Sequence, residues 1–502
     1  MLPRKQVKTD KHHTHPQKPK KDQKIDPKIE EEMLDRKLYI TLLNAEGEQL
    51  GAALEVPYRT TQKDLEQIVN QLKEDENSDQ LYSFYFENHE VKTNLRNFTR
   101  NIDGFNPEHT LKLTYHPQSL FFVRPITRQS SSIPGHTSAV LSAQFSPDSN
   151  QLASASGDCT VRFWDVLTEL PKTTAKNGHK NWVLIVSWSP DGKRVASASM
   201  DGTLCFWDPL TGQQIGSTVQ AHQKWVTSLS WEPLHKNKTC NLLASAGKDG
   251  KIKIWNVDNQ KQLITFNGHL KAVTKVLWGG QDLIYSSSED TTIKIWQKNG
   301  NIYKDIKAHA HWVNTLCVHT DFALRTGCYD EKGEQIEDQD KRQQVALERY
   351  NKLKGDKNER LVSGSDDFTL YMWDPFLGKK DSKRLLGHQQ PINHTQFSPD
   401  GRFIVSGSFD KSVRLWDGYT GGYIAVFRGH VSPVYQIAFS PDSRLFVSCS
   451  KDSTLKVWDI KTKKLMFDLP GHADEVYTID WSPDGQKVVS GGKDRVLKIW
   501  KN

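Results

Sequence analysis

Hydrophobic and polar positions alternate along this chain in short runs, and the pattern repeats. Between Gly429 and Asp459, Val434-Tyr435-Gln436-Ile437-Ala438-Phe439 reads as one strand, Ser440-Pro441-Asp442-Ser443 as a turn, and Leu445-Phe446-Val447-Ser448 as a second strand. A third strand ends at Trp458-Asp459, and a fourth, near Leu465 to Leu469, leads to the next Gly471-His472. Four short strands cannot bury a core alone, so the unit needs copies of itself. The copies begin on His136, His179, His222, His269, His309, His388, His430 and His472. Each unit also carries an aspartate (Asp158 in the first, Asp494 in the last), with a serine four residues before it and a tryptophan six residues after it.

Eight units of this make, with a period near the ~40–45 residues of WD40 repeats, predict an eight-bladed β-propeller. Serine, histidine and aspartate together invite comparison with a hydrolase triad. A catalytic set occurs once, in a cleft, whereas this one recurs in every unit beside a tryptophan. Its expected role is a hydrogen-bonded chain from aspartate to histidine to serine to tryptophan that ties each blade together.

The pattern changes ahead of the repeats. Residues 1–36 are polar, lack periodicity and read as a disordered basic tail, in which Lys18-Pro19-Lys20-Lys21 could act as an import signal. Residues 37–116 read differently: a hairpin from Lys37 through Val56, then a helix carrying Leu65, Ile68, Val69 and Leu72 on one face. Thr61 and Asp64 are placed to cap that helix, and strands follow at Tyr82–Phe86 and Thr110–Tyr115. This is the layout of a small α+β, ubiquitin-like roll, expected to act as a docking domain. The propeller is expected to span 117–502. The chain stops when the eighth unit has reached only its third strand, so the apolar segment at 119–127 is expected to supply the missing outer strand and close the ring.

Two departures from the repeat stand out. Trp182, Trp225 and Trp312 lie three residues after the repeat histidine in units two, three and five, where the others carry Ala139, Ala272, Pro391, Pro433 and Glu475. Large aromatics at the start of an inner strand suggest a recognition surface, and Lys180, Lys224 and His311 beside them suit an anionic or mixed partner. The fifth unit is enlarged by an insertion at about 321–360, expected to protrude, with a weak helix over Asp338–Lys354. Its second strand could be Phe322–Asp330 or Arg360–Asp367; the latter leads directly to Trp373 and is preferred.

Composition narrows the class. The chain has 502 residues, 36% of them hydrophobic and 25% charged, with a net charge of +7. The balance is +3 over residues 1–36, −5 over 37–116 and +9 over the rest, an acidic small domain beside a basic large one. No apolar run reaches the roughly eighteen residues of a membrane span, and no secretory leader is expected. The six cysteines are scattered without metal-ligand spacing and read as reduced thiols.

A ubiquitin-like domain before eight WD40 units, with His309-Ala310-His311-Trp312-Val313-Asn314 and the enlarged fifth unit, resembles the Notchless family. Gly51-Ala52-Ala53-Leu54, Ser187-Trp188, Met200-Asp201 and Val476-Tyr477 belong to the resemblance, which covers roughly residues 37–502. It implies a non-enzymatic assembly factor of the large (60S) ribosomal subunit in the nucleus and nucleolus. The propeller of such a protein docks on the pre-60S particle, contacting rRNA and other factors, and the AAA+ ATPase midasin grips its ubiquitin-like domain. In the family a glutamate before the last strand of that domain completes the coordination of a Mg²⁺ ion held by midasin; the matching residue is Glu108, with Asp103 as its near rival. The alternative is a WD40 substrate adaptor for ubiquitin ligation or a signalling scaffold of the Notch pathway.

Overall fold

The computed structural model describes residues 37–44, 47–73, 82–86, 89–91, 94–100, 110–117, 123–176, 178–333, 336–355, 358–377 and 382–502. They belong to two compact units, Met1–Leu120 and Phe121–Asn502.

In the first unit the alternating strand Lys37–Leu43 pairs antiparallel with Leu54–Pro57 and parallel with Leu111–Pro117, which in turn pairs with Tyr82–Phe86. A helix over Gln62–Lys73 packs Leu65 and Val69 into the core with Ile40, Phe84 and Leu113. Its capping is as predicted: the Asp64 carboxylate accepts the Thr61 backbone N–H at 2.7 Å and the Thr61 hydroxyl at 2.9 Å. Leu72 is 37% exposed, so the buried face is narrower than the periodicity implied. A short helix, Leu95–Arg100, and a two-residue strand, His89–Glu90, were not legible in the pattern.

The second unit holds eight four-stranded antiparallel sheets. Each blade is hydrophobic on both faces, and the cores form between blades. Ala153, Phe163 and Val161 of the first blade meet Val186, Trp188 and Trp207 of the second. Val489, Leu497 and Ile499 of the eighth meet Val140, Phe145 and Trp164 of the first. Polar side chains on the inner strands clasp one blade to the next around the central channel. Gln144 accepts the Trp188 N–H at 3.0 Å, Gln436 the Ile479 N–H at 3.2 Å, and Asp480 the Phe145 N–H at 2.9 Å. Thr274 and Asn393 instead donate to the carbonyls of Val313 and Tyr435.

Ring closure differs from expectation. The strand that completes the eighth blade is Arg128–Pro134, paired antiparallel with Val496–Lys501 over six positions. It is not the 119–127 segment. Of that segment, residues 119–122 lie outside the described residues. Val123 and Ile126 are buried against the seventh and eighth blades without joining a sheet. The Val123 N–H donates to Asp442 at 2.9 Å.

The insertion also behaves differently: it does not protrude. The fifth blade runs from Val313–Val318 to Leu361–Ser365, so the preferred second strand is the observed one, and the rival segment begins in a helix, Asp321–Thr326. A second helix, Gln339–Lys354, is capped by Asp338. Between them the chain lies across the turns that join first and second strands. The Arg325 guanidinium reaches Asp480 of the eighth blade at 2.7 Å, and the Tyr329 hydroxyl donates to the Asp191 carbonyl of the second at 3.2 Å. The Gln343 amide donates to the His235 carbonyl of the third at 2.9 Å, and Tyr350 stacks on the His235 ring at 4.5 Å. Leu234, Cys240, Cys328, Tyr329 and Ala346 form a small core of their own there. Gly327, at φ +57°, lets the chain pass close to the Pro190 carbonyl, where a side chain would collide. Apolar groups supplied by the insertion and by the third blade explain why it folds back: each would otherwise face water.

Candidate functional site

The repeated polar set is a structural tie. In the first blade His136 Nδ1 lies 2.8 Å from Asp158, His136 Nε2 lies 2.8 Å from Ser154 Oγ, and Trp164 Nε1 donates to the same oxygen at 2.9 Å. The pattern recurs through the eighth blade, where His472 meets Asp494 and Ser490, each at 2.7 Å, and Trp500 donates to Ser490 at 2.8 Å. Every such serine is fully buried beneath a tryptophan, out of reach of a substrate. The second blade varies the theme. His179 Nδ1 contacts Thr203 Oγ1 at 2.7 Å, and Thr203 rather than His179 holds Asp201.

These ties set an acid limit on stability. Burial alone would push Asp158, Asp290 and Asp452 up, but hydrogen bonds and charge from their histidines, with the neighbouring Thr160, Thr292 and Thr454, hold all three far below the ordinary carboxylate range. Asp249 is likewise held down to about 2, with burial opposing and His222 prevailing. A depressed folded-state pKa contributes stability that is complete above the unfolded value near about 4 and is lost as pH falls through the folded value. His179 acts in the same direction, because burial, partly offset by Asp201, keeps it neutral down to about 4. The unfolding temperature is therefore expected to begin falling below about pH 6.5, as the unfolded chain takes up a proton that buried His179 refuses, and then to fall steeply below about 4 as the paired aspartates are protonated. Calorimetry across pH 7 to 2.5 checks this; a maximum in the acid range would contradict it.

The candidate interaction face is the opposite one to the insertion. Trp182, Trp225 and Trp312 all stand on the connections from an outer strand to the next inner strand and are 48%, 38% and 42% exposed. Their neighbours Lys180, Lys224 and His311 are exposed as well. The backbone holds them in place: the Lys180 N–H donates to Asp201 at 2.8 Å, and the Asp366 N–H donates to the Trp312 carbonyl at 2.9 Å. Blades two and three are adjacent. The fourth blade, which separates Trp312 from them, carries a buried Ala272 and a 91% exposed Leu270.

Sequence reasoning missed several partners on this face. Lys248 sits over the Trp225 ring at 4.2 Å, a cation–π contact that fixes the indole. His311 lies 3.4 Å from Asp366, so the surroundings of Trp312 are not simply cationic. Across the ring, Tyr435 donates to Glu475 at 3.0 Å and lies 5.7 Å from the Tyr477 ring and 6.3 Å from that of Phe409. Lys451 and Lys493 pair with Glu475 and Asp474 at 3.6 and 3.3 Å. The face is thus divided into a tryptophan and lysine side on blades two and three and a tyrosine and carboxylate side on blades seven and eight. Tyr435 and Tyr477 stand at one repeat position, five after the histidine, which is the signal that could have found them. Glu108 and Asp103 lie outside the described residues.

Comparison with known proteins agrees with this architecture. The family described as "WD domain, G-beta repeat" matches residues 127–165, 171–208, 213–256, 260–297, 379–417, 421–459 and 463–501. The enlarged fifth blade falls in the gap between the fourth and fifth of these stretches. The family described as "NLE (NUC135) domain" matches 38–99. A Notchless protein homolog from Arabidopsis thaliana is 51% identical over 389 residues, covering 77% of this chain and 81% of the relative. Protein Notchless from Drosophila melanogaster is 46% identical, covering 76% and 78%. Ribosome assembly protein 4 from Saccharomyces cerevisiae is 46% identical, also covering 76% and 78%. Among solved structures, the crystal structure of the computationally designed Ika8 protein aligns with a TM-score of 0.59 at 27% identity, over 75% of this chain and all of that one. With both the repeat and the small N-terminal domain matched, and with relatives at this identity over most of their length, the chain belongs to the Notchless family.

Proposed function

We propose that this protein is a non-enzymatic assembly factor of the large ribosomal subunit, acting in the nucleus and nucleolus. Its 46% identity to a yeast protein named Ribosome assembly protein 4 carries the reading. The propeller docks on the pre-60S particle through the tryptophan-bearing face. The exposed indoles, with Lys180 near Trp182 and Lys224 beside Trp225, supply the aromatic anchors and positive charge that an rRNA surface calls for. The buried, repeated serine–histidine–aspartate sets act as framework, so the protein contributes binding rather than chemistry.

The ubiquitin-like domain is the handle by which midasin pulls. Glu108 would place one carboxylate oxygen on a Mg²⁺ ion held by midasin. A glutamate is the hard oxygen donor this ion takes, and one carboxylate fills one position of an octahedral shell, so the remaining ligands belong to the partner.

Purification of the tagged full-length protein from cells tests both halves. Changing Trp182, Trp225 and Trp312 together to alanine is expected to reduce recovery of pre-60S particles at least about tenfold, since buried aromatic anchors each contribute about 2 kcal/mol or more. Glu108→Ala is expected to keep the particle and lose Mg²⁺-dependent binding of midasin, and Glu108→Asp to weaken it because the carboxylate falls short. Normal particle recovery by the triple variant would refute the docking face, and normal midasin binding by Glu108→Ala would refute the ligand.

A further inference from the structure

The central channel of the propeller contains two nitrogen-bearing side chains, one of them a lysine, that the framework does not use. On each inner strand the first residue after a small register shift stands at one level of the channel. In most blades it reaches toward the next blade: Ser228 donates to the Val276 carbonyl, Thr315 accepts the Thr395 N–H, and Gln436 accepts the Ile479 N–H. In the fourth and sixth blades the equivalent residues are Lys275 and His394. There the link to the next blade is made one residue earlier, by Thr274 and Asn393. Lys275 and His394 are therefore released from the clasp, and neither has a hydrogen bond or ion pair among the described residues. They flank Thr315 of the fifth blade, the blade that carries the insertion.

The imidazole shows how it is oriented chemically. His394 Nδ1 is enclosed without a partner. A buried lone pair is less unfavourable than a buried, unpaired N–H, so the proton belongs on Nε2, the nitrogen left to the channel. Burial, and then the nearby Lys275 ammonium, hold His394 down to about 3, so the ring is neutral at physiological pH and serves as a donor rather than a second charge. Both residues stay half-buried rather than sealed, as wall groups of a hydrated channel do. On the insertion side, Arg325 is already committed to Asp480 at 2.7 Å. Asp321 is a carboxyl that also faces Lys275; burial raises its pKa, and Arg325 and then Lys275 oppose the rise.

We propose that Lys275 and His394 form an anion-binding site in the channel that takes a small oxyanion, either a phosphate or a carboxylate group, between the fourth and sixth blades. The ammonium supplies the charge and the Nε2–H a directed donor, and low local dielectric strengthens both. The site is separate from the tryptophan face and from the ubiquitin-like domain, so its failure would leave the ribosome-assembly reading intact.

Titration calorimetry on the full chain, with inorganic phosphate and with acetate as separate probes at matched ionic strength, tests it. The variants are Lys275→Ser and His394→Ile, because sister blades carry Ser228 and Ile185 at the same register and fold with them, and isoleucine offers no donor. The unfolding temperature of each variant without anion is measured alongside to confirm folding. Binding of phosphate alone assigns a phosphate group, and of acetate alone a carboxylate; binding of both fits the shared oxyanion chemistry. In each case affinity is expected to drop at least about tenfold in both folded variants, as loss of a charge-assisted hydrogen bond does. Absence of binding to the unmodified protein, or undiminished binding by either variant, overturns the proposal.

Discussion

Glu359→Ala is expected to destabilise the propeller by about 3–4 kcal/mol, the range for a buried polar hub stripped of its acceptor. Glu359 is fully buried at the return of the insertion into the fifth blade. One carboxylate oxygen accepts the Gly280 N–H at 2.8 Å, the Thr320 hydroxyl at 3.0 Å and the Tyr350 hydroxyl at 3.1 Å. The other accepts the Tyr285 hydroxyl at 2.7 Å. Four donors from the fourth blade, the start of the insertion and its long helix thus converge on one side chain. Alanine leaves them facing each other without water. Glu359→Gln separates charge from geometry. Its carbonyl oxygen can keep the three-donor side, and the Tyr285 hydroxyl can rotate to accept from the new amide, so a loss of only about 1–2 kcal/mol is expected. Urea denaturation of both variants gives the comparison. Hydrogen exchange over Gln339–Lys354 then shows whether the helix detaches first: amides there should exchange faster in Glu359→Ala while those of the first and second blades stay protected. Equal midpoints for the alanine variant and the unmodified protein would show that the hub does not hold the insertion.

How far this arrangement could be read from sequence depends on which residues signal it. The repeat is legible because each blade needs the same histidine, serine, aspartate and tryptophan, and a buried polar set tolerates little change. The insertion's helix was only faintly visible, since Ala346 and Tyr350 are its only fully buried residues and its outer face is charged. Nothing in its pattern says that it crosses the channel. That follows from Asp480, a carboxylate at a position where the first and sixth blades carry Gln144 and Gln396. An amide there is satisfied by the neighbouring backbone, whereas a carboxylate also attracts a cation, and Arg325 comes from the insertion to meet it. Lys275 and His394 were equally silent, because their significance lies in a clasp they fail to make. The closing strand was misplaced for a different reason. Leu120-Phe121-Phe122-Val123 is more apolar than Arg128-Gln129-Ser130-Ser131-Ser132-Ile133-Pro134, yet an outer blade strand faces solvent along one edge and buries little. Counting position would have succeeded where hydrophobicity failed: Pro134 directly precedes Gly135-His136, as Pro470 precedes Gly471-His472.

Removing the chain up to Pro134 is accordingly expected to have the largest effect of any truncation, while removing it only up to Phe122 should leave the ring closed. Arg128–Pro134 covers the open edge of Val496–Lys501 and inserts Ile133, 5% exposed, beside Leu497 and Ile499. Its side chains also tie the eighth blade to the first. Ser130 donates to Glu169 at 2.8 Å, and Lys487 pairs with the same carboxylate at 2.9 Å. Burial of one isoleucine contributes about 1.5–3 kcal/mol, and each ladder hydrogen bond about 0.5–1.5, so losing the strand removes on the order of 5 kcal/mol or more. It also leaves a bare strand edge at the seam, a template for pairing with another chain. The shorter truncation keeps Val123, Ile126 and the Val123 to Asp442 hydrogen bond, and with them the path that leads the strand into place. Thermal unfolding followed by tryptophan fluorescence, with light scattering for aggregation, distinguishes the two. The chain beginning at Gly135 should melt at a much lower temperature and aggregate, and a synthetic peptide of residues 123–134 added in trans should restore part of the loss. Similar melting of both truncations would mean that the first and eighth blades hold the seam through their inner strands, where Phe145 donates to Asp480 at 2.9 Å, and that the outer strand is dispensable.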